Sequence, residues 1–197
     1  MFIEPHFKQN DSGWIEVICG SMFSGKTEEL IRRLKRAQIA RQKVAVFKPQ
    51  LDTRYHAKQV VSHDANSLSA IPLAHSKQLL EQSEGMEVVG IDEAQFFDMD
   101  LPKHCHSLAQ RGIRVIVAGL DMDFKKQPFG PIPHLLATAE YITKVHAICH
   151  HCGNLATYSY RLTEVSDTIM LGAKNKYEAR CRSCYAMGSA LNSKPER

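Results

Sequence analysis

The residues with the clearest chemical signature form one short stretch near the start of the chain, Gly20-Ser21-Met22-Phe23-Ser24-Gly25-Lys26-Thr27. It fits the pattern G-x-x-x-x-G-K-[ST], whose glycines let backbone N–H groups point at phosphate oxygens. In this pattern the lysine reaches the β- and γ-phosphates and the hydroxyl of the last residue is a magnesium ligand. An apolar run precedes the stretch and an amphipathic pattern follows it, which disfavours a chance match. We therefore predict that residues 20–27 bind a nucleoside triphosphate with Mg²⁺.

Two adjacent carboxylates, Asp92 and Glu93, follow the apolar run at residues 88–91. In phosphate-loop proteins an acid at such a strand end faces the loop and holds magnesium, directly or through water, and Asp92 fits that role. Glu93 is a candidate general base for the attacking oxygen. A base acting on water gives an ATPase, whereas one acting on a substrate hydroxyl gives a kinase, so the pair leaves the reaction open. The plainer alternative is that both residues only cap the next helix.

Four of the six cysteines form two Cys-x-x-Cys pairs, Cys149 with Cys152 and Cys181 with Cys184. Four thiolates suit a closed tetrahedral zinc site with a structural role. Redox chemistry at one pair, or four free thiols, are the alternatives. The long interval at residues 153–180 predicts an elaborated loop on the metal knuckle. The remaining Cys19 and Cys105 are interpreted as small buried apolar residues.

Composition limits the class of protein. A chain of 197 residues holds one domain, or one domain with a small appendage. The net charge of +4 suits a phosphate-bearing ligand and is too weak to indicate nucleic acid. No stretch reaches the roughly 18 apolar residues of a membrane helix, and residues 1–14 lack the apolar centre of a signal peptide. We expect a cytosolic protein with reduced cysteines and no membrane partner.

The elements that must position these residues follow from hydrophobic periodicity. We predict strands at residues 14–19, 44–47, 87–92 and 114–119, and helices from Thr27, from Leu101 to near Gly112, and at residues 135–139. We also predict that Ser76 caps a helix that runs through Gln82. Residues 49–75 are predicted to be a long irregular loop with a short strand near Val60. The basic residues Arg32, Arg33, Lys35 and Arg36 are interpreted as the solvated face of the first helix.

This alternation of strands and helices predicts an α/β fold with a parallel sheet and helices on both faces. We expect a lead-in at residues 1–13, a phosphate-loop nucleotide-binding domain at 14–141, a small zinc-binding domain at 142–187 and a flexible tail at 188–197.

Several further motifs follow one another along the chain: Asp52-Thr53-Arg54-Tyr55, Ser62-His63-Asp64, Ile91-Asp92-Glu93-Ala94-Gln95-Phe96-Phe97, Gly119-Leu120-Asp121-Met122-Asp123-Phe124, Lys126-Gln127-Pro128-Phe129-Gly130 and Lys176-Tyr177. With the phosphate loop and the cysteine pairs, they resemble the thymidine kinases of the cellular, zinc-containing type, a family that includes the human cytosolic enzyme and many bacterial ones. The resemblance runs from about Trp14 to Tyr185.

The resemblance implies a recombinase-like phosphate-loop core and a zinc domain that carries a lasso loop. It implies ATP-dependent phosphorylation of the 5′-hydroxyl of thymidine or deoxyuridine, which yields dTMP for nucleotide salvage, with Glu93 as the base. Inhibition by dTTP, a homotetramer and a cytoplasmic location are implied in the same way, and no nucleic-acid partner is expected.

The resemblance also implies roles for particular residues. The ATP-binding set comprises residues 20–27 with Asp92, Glu93, Ala94 and Gln95. The phosphate and magnesium region comprises Thr27, Asp52, Arg54 and Asp92. The thymine pocket comprises Met22, Leu120 and Phe124, closed by the lasso residues Thr168, Ile169, Met170, Leu171 and Gly172 with Tyr177. Ala173 and Asn175 depart from the family pattern, in which many relatives have a glycine and an acid, and this departure bears on the flexibility of the lasso.

Two other kinds of enzyme fit part of the pattern. A zinc-ribbon ATPase acting on nucleic acid would need a basic stripe with interleaved aromatic residues, and the only dense basic run is residues 32–36. A nucleoside monophosphate kinase with a zinc lid would carry another glycine-proline pattern in its phosphate loop. A non-catalytic zinc-binding module does not explain a complete loop and acid pair.

Overall fold

The computed structural model describes residues 12–50, 59–61, 67–162 and 176–192. Its strands within these ranges are, in chain order, β1 (Ile15–Cys19), β2 (Val44–Pro49), β3 (Gln59–Val61), β4 (Ser67–Ser69), β5 (Ile71–Leu73), β6 (Val88–Ile91), β7 (Arg114–Gly119), β8 (Tyr141–Lys144), β9 (Ala147–Ile148), β10 (Leu155–Ala156), β11 (Tyr158–Arg161) and β12 (Tyr177–Arg180). The helices are α1 (Lys26–Ile39), α2 (Leu79–Gln82), α3 (Leu101–Gln110), α4 (Ile132–Thr138) and α5 (Arg182–Asn192), with 3₁₀ helices at Ser76–Gln78 and Ala94–Phe96.

Six strands form one parallel sheet in the order β5-β2-β6-β7-β1-β8. The four strands expected from apolar runs, β2, β6, β7 and β1, are its centre. Strands covered on both faces need apolar side chains at nearly every position, which is why these four are near-continuous apolar runs. The predicted α/β fold with a parallel sheet is confirmed.

Helices cover both faces of the sheet because successive strand residues point to opposite sides. Val115 and Val117 of β7 pack in the cluster that contains the apolar residues of α3 and α4. Ile116 and Ala118 of the same strand pack in the cluster that contains Leu30, Ile31, Leu34 and Ala37 of α1. The helix that follows the phosphate loop therefore lies on one face, and α3 and α4 lie on the other.

Two strands of the six-stranded sheet were not expected. β5 lies within residues 49–75 and adds an edge strand beside β2, with Ile71 paired to Phe47. It is three residues long and contains Pro72, so it carried no periodic signal. β8 pairs with β1 at the other edge, so the sheet continues to Lys144. The expected division between residues 141 and 142 falls inside this strand, and the division into domains stays a prediction.

The interpretation of Arg33 as a solvated residue is wrong. Its side chain is fully buried, and its guanidinium pairs with Glu16 at 2.8 Å and with Glu29 at 2.9 Å. Arg114 also pairs with Glu16, at 2.6 Å. Glu16 is buried in β1, where an unpaired carboxylate would be very costly, so two arginines neutralise it. Arg32 and Arg36 do face solvent.

The expectation that Ser76 caps a helix is also wrong. Ser76 is the first residue of the 3₁₀ helix, and His75 holds the capping position. The Ser76 hydroxyl instead donates to Asp98 at 2.5 Å and lies 2.8 Å from Nδ1 of His104. Tertiary partners on two other segments thus override the local preference of serine for a helix start. The helical segment ends at Gln82, as predicted.

The described part of the C-terminal region is built from two short antiparallel pairs, β9 with β10 and β11 with β12, followed by α5. We call residues 147–162 and 176–192 the C-terminal lobe. The predicted lasso at residues 167–176 lies outside the described residues except for Lys176. Among the described residues, no helix is both long enough and apolar enough to cross a bilayer.

Candidate active site

The phosphate loop lies between the end of β1 and the start of α1, as its sequence predicts. Gly25 caps α1 in the left-handed region at φ 83°. Gly20 has φ +150°, and a Cβ there would lie 2.2 Å from the carbonyl oxygen of Val145. Both positions therefore need glycine. The Lys26 ammonium donates to the backbone oxygen of Ser21 at 2.8 Å, so this side chain folds back across the loop.

Thr27 and Asp92 come together although 65 residues separate them in the chain. Asp92 directly follows β6, and its N–H still donates to Phe47 in the sheet ladder. Its carboxylate is buried, and Oδ2 accepts from the Thr27 hydroxyl at 3.2 Å. Because β7 alone separates β6 from β1, the start of α1 reaches this carboxylate across one strand. A hydroxyl and a carboxylate placed beside a phosphate loop are the oxygen ligands that Mg²⁺ takes in such sites.

Glu93 leaves the strand in a different direction from Asp92. Its backbone is left-handed at φ 50°, and it begins the 3₁₀ helix Ala94–Phe96. A left-handed conformation is uncommon for a residue with a side chain and turns the carboxylate away from the path of the strand. The side chain is half-buried, and Oε2 accepts from Nε2 of Gln95 at 2.6 Å. The neighbouring Ala94 and Gln95 are buried.

The segment that carries Glu93 is fastened at its far end by the cluster formed by Ser76, Asp98 and His104. Asp98 accepts from both the N–H and the hydroxyl of Ser76. Partial burial would raise the pKa of Asp98, but these hydrogen bonds outweigh it and hold that pKa below its ordinary value. The segment after Glu93 is thereby tied to α3 and to the 3₁₀ helix before α2.

The C-terminal lobe contacts the phosphate loop directly. The N–H of Met22 donates to Oγ of Ser159 at 3.0 Å, and the Ser21 hydroxyl lies 3.4 Å from the carbonyl oxygen of Ala156. Phe23 packs against the apolar cluster of the lobe that includes Cys149. Ser21, Met22 and Phe23, which occupy positions that the motif leaves open, thus attach the loop to the lobe.

Two residues expected in the nucleoside pocket meet through a residue that sequence reasoning missed. The guanidinium carbon of Arg161 lies 3.5 Å from the ring centroid of Phe124, and its Nη2 donates to the Tyr177 hydroxyl at 2.5 Å. Arg161 is buried at the end of β11. The signal that could have found it is an arginine that ends a run of alternating aromatic residues. Leu120, which directly follows β7, is buried, and its N–H donates to Oε1 of Gln95 at 2.9 Å.

The remaining expected site residues, Asp52, Arg54 and residues 168–172, lie outside the described residues, as do Ala173 and Asn175. Their expected roles stay predictions.

The four paired cysteines converge in the C-terminal lobe. Their sulfur atoms all lie within 4.8 Å of one another, and the sulfurs of Cys152 and Cys181 are 3.6 Å apart. Tetrahedral zinc with Zn–S bonds of about 2.3 Å requires sulfurs about 3.8 Å apart, so the donor set fits this ion. Backbone and side-chain N–H groups of Cys184 and Asn154 point at two of the sulfurs, which suits thiolates. The cluster could therefore hold zinc.

Cys19 and Cys105 behave as the sequence indicated. Both are buried, and burial raises the pKa of Cys19 to about 11 and that of Cys105 to about 12. Thiols with such pKa values are not ionised near neutral pH, so neither is a nucleophile or a ligand there.

A parallel sheet, a glycine loop between β1 and α1, and a hydroxyl–carboxylate contact beside that loop define a phosphate-loop α/β protein, here with a four-cysteine cluster. A profile of the thymidine kinase family matches residues 13–185. The chain belongs to the thymidine kinase family and is an enzyme of this type, which confirms the resemblance inferred from its motifs.

Individual relatives are similar over most of their length. The chain is 58% identical over 173 residues to the thymidine kinase of Rhodothermus sp. (strain ITI 518), covering 88% of this chain and 81% of that protein. It is 55% identical over 186 residues to the thymidine kinase of Bacteroides fragilis (strain YCH46), covering 94% of both. It is 57% identical over 173 residues to that of Porphyromonas gingivalis (strain ATCC 33277), covering 88% and 85%.

Proposed function

We propose that this chain transfers the γ-phosphate of ATP to the 5′-hydroxyl of thymidine or deoxyuridine, which for thymidine gives dTMP and ADP. The observation that carries the proposal is the contact of Thr27 with Asp92 beside the phosphate loop, with Glu93 as the next residue. This arrangement supports the proposal, because an expected metal-binding carboxylate lies against a residue of the phosphate loop and a second carboxylate follows it in the chain. The relatives, which are named thymidine kinases, support the acceptor.

Triphosphate binding is assigned to the loop and the start of α1. The loop N–H groups and the positive end of the helix face the phosphate oxygens. The Lys26 ammonium now donates a hydrogen bond to the Ser21 carbonyl oxygen at 2.8 Å. When ATP binds, the ammonium must give up this bond and donate to a phosphate oxygen instead. Thr27 and Asp92 would hold Mg²⁺, which neutralises phosphate charge when bound.

Proton transfer is assigned to Glu93. As the 5′-oxygen attacks the γ-phosphorus, the carboxylate accepts the hydroxyl proton and the bond to the leaving ADP oxygen breaks. The different backbone conformations and hydrogen-bond partners of Asp92 and Glu93 support giving the metal to Asp92 and the proton to Glu93.

The nucleoside is assigned to the region of Met22, Leu120, Phe124 and Tyr177, with Arg161 joining the last two. In the proposal, residues 168–172 close over the base. Closure would exclude water, and transfer to a sugar hydroxyl would then be favoured over hydrolysis.

The cysteine cluster is proposed to hold structural zinc, since four thiolates leave no open position for a substrate. The proposal also includes a role in nucleotide salvage, feedback inhibition by dTTP, a homotetramer and a cytoplasmic location. These four rest on the family resemblance.

The proposal is tested by incubating the purified protein with Mg-ATP and thymidine and separating the products. We expect dTMP and ADP in equal amounts. The matched control is 5′-deoxythymidine, which lacks the acceptor hydroxyl and should yield no phosphorylated nucleoside. ATP turnover that DNA stimulates, without phosphorylation of thymidine, would refute the proposal and favour a nucleic-acid ATPase.

A further inference from the structure

Gln95 is buried between the expected base and the end of β7. Its side-chain Nε2 donates to Oε2 of Glu93 at 2.6 Å, and its Oε1 accepts from the N–H of Leu120 at 2.9 Å. Only 2% of the residue is exposed. Both ends of one amide therefore have partners on different segments.

The orientation of this amide follows from its partners. The backbone N–H of Leu120 is a donor only, so the amide atom facing it must be the oxygen. The nitrogen then faces Glu93 and offers that carboxylate a hydrogen.

Two glycines from other segments make room for Gln95, one beside its side chain and one beside its backbone. A Cβ at Gly119 would lie 2.9 Å from Oε1 of Gln95, and a Cβ at Gly130 would lie 2.3 Å from its backbone oxygen. Gly119 ends β7, and Gly130 precedes α4. The surrounding structure is thus shaped to hold Gln95 in one place.

We infer that Gln95 is a positioning residue, which holds the carboxylate of Glu93 toward the acceptor hydroxyl and ties it to the backbone of Leu120. The inference rests on the proposed function of Glu93 as the base. It differs from the ATP-binding role that the family resemblance implies for Gln95, because a side chain with 2% exposure offers almost no surface to a nucleotide. Because Gln95 acts through Glu93, substitution of Gln95 should lower kcat and leave the KM for ATP unchanged.

The first test is the steady-state kinetics of the full-length Gln95→Leu variant with Mg-ATP and thymidine. Leucine has a similar size and donates no hydrogen bond, so the carboxylate of Glu93 loses the bond from Nε2 of Gln95. We expect kcat to fall about 10- to 100-fold, as small displacements of catalytic groups do, with the KM for ATP unchanged within a factor of two. Gln110→Leu, at an exposed position on α3, is the matched control and should keep the wild-type kcat.

The second test is the pH profile of Gln95→Glu. A second carboxyl beside Glu93 shares one proton with it, because two adjacent negative charges are unfavourable. While that proton is held, the new acid donates to Glu93 as the amide does, and activity is rescued. As pH rises and the proton leaves, kcat should fall, whereas Gln95→Leu should show no such rescue. A purely structural role predicts the same pH profile for both variants.

The third test separates this inference from the proposed function. If Gln95 acts through Glu93, adding Gln95→Leu to Glu93→Gln should lower kcat by less than threefold further. An equal loss in both backgrounds, an unchanged kcat, or a rise confined to the KM for ATP would each overturn the inference. These outcomes require a wild-type protein that phosphorylates thymidine, and its failure to do so would instead refute the proposed function. If Gln95→Leu does not fold, the pH profile of Gln95→Glu decides alone.

Discussion

Asp92 and Glu93 are neighbours in the chain, but the backbone sends their side chains to different partners. Asp92 stays in the sheet ladder and accepts from Thr27, while Glu93 turns into the left-handed region and accepts from Gln95. Two equal carboxylates thus acquire different environments. This difference supports the separate roles proposed for them, with Asp92 as a ligand of the metal and Glu93 as the base.

We predict that Glu93→Gln lowers the rate of phosphate transfer much more than the affinity for ATP. The amide keeps the size of the side chain but accepts no proton, so kcat should fall about 10²- to 10⁴-fold. The affinity for ATP, measured by isothermal titration calorimetry, should change less than threefold. Glu84→Gln, at an exposed position before β6, is the control. Near-normal turnover of Glu93→Gln would rule out its assignment as the base.

Residue roles could be predicted from the sequence where the motif itself specifies them. The loop residues and the cysteines were identified by type and spacing, and the structure brings the cysteines together. Arg161 was missed, since its importance comes from Phe124 and Tyr177, which are distant in the chain. The family resemblance implies an ATP-binding role for Gln95, and that role stays a prediction. The burial of Gln95 and its contact with Leu120 depend on the tertiary structure and could not be predicted from the sequence.

The packing of α1 on the sheet sets the distance between the phosphate loop and Asp92. Leu34 of α1 lies directly over Gly90 of β6, and a Cβ at Gly90 would come within 2.6 Å of its Cδ1. Both residues belong to a close-packed core, so Leu34 has little room to move. The glycine therefore lets the helix approach the strand that ends in Asp92.

We predict that Gly90→Ala destabilises the fold by about 1–3 kcal/mol, as overpacking does. Leu34→Ala alone should cost about 2–5 kcal/mol through the cavity it leaves. Combined, the two changes should cost less than their sum, because the new methyl group enters that cavity. Urea unfolding of all four proteins measures this coupling. Additive effects would contradict the close contact, while Leu108→Ala, on the opposite face of the sheet, should be additive with Gly90→Ala.

Strands with a strong hydrophobic signal in the sequence were predicted, and strands of the sheet without one were not. The strands β1, β2, β6 and β7 are apolar runs and were located within one or two residues. β5 is short and contains Pro72, and β8 alternates between half-buried and exposed residues. An edge strand is covered less completely than a central one, so its sequence carries less of the hydrophobic signal that locates a strand.

The C-terminal lobe and the phosphate-loop core meet at the loop itself. Met22 donates to Ser159, and Phe23 packs with Cys149 and its neighbours. The four cysteines come from the loop after β9 and from the start of α5, so a metal ion bound to them would join these two segments of the lobe. The order of the lobe should therefore affect the shape of the phosphate loop.

We predict that removing zinc lowers both thermal stability and ATP affinity. A zinc ion on the four cysteines would join segments that have only a small apolar core of their own, so its chelation should loosen the lobe and with it the support of Phe23. Metal analysis should find one zinc per chain, and calorimetry should give a lower Tm after chelation. Added zinc should restore the Tm, and His151→Ala and Ser183→Ala, both at exposed positions, should keep the metal. An unchanged Tm in the zinc-free protein would contradict a structural role.

The sequence by itself determined the α/β class, the family and the kinds of groups available for phosphate and metal binding, because these depend on local patterns of residue type and spacing. Only the tertiary structure decided which groups meet. It paired Thr27 with Asp92 across β7, buried Arg33 against Glu16, moved Ser76 from a helix cap to a contact with Asp98 and His104, and set Gln95 against Glu93. Such pairings depend on the order of strands and on burial, and these arise from the packing of segments distant in the chain.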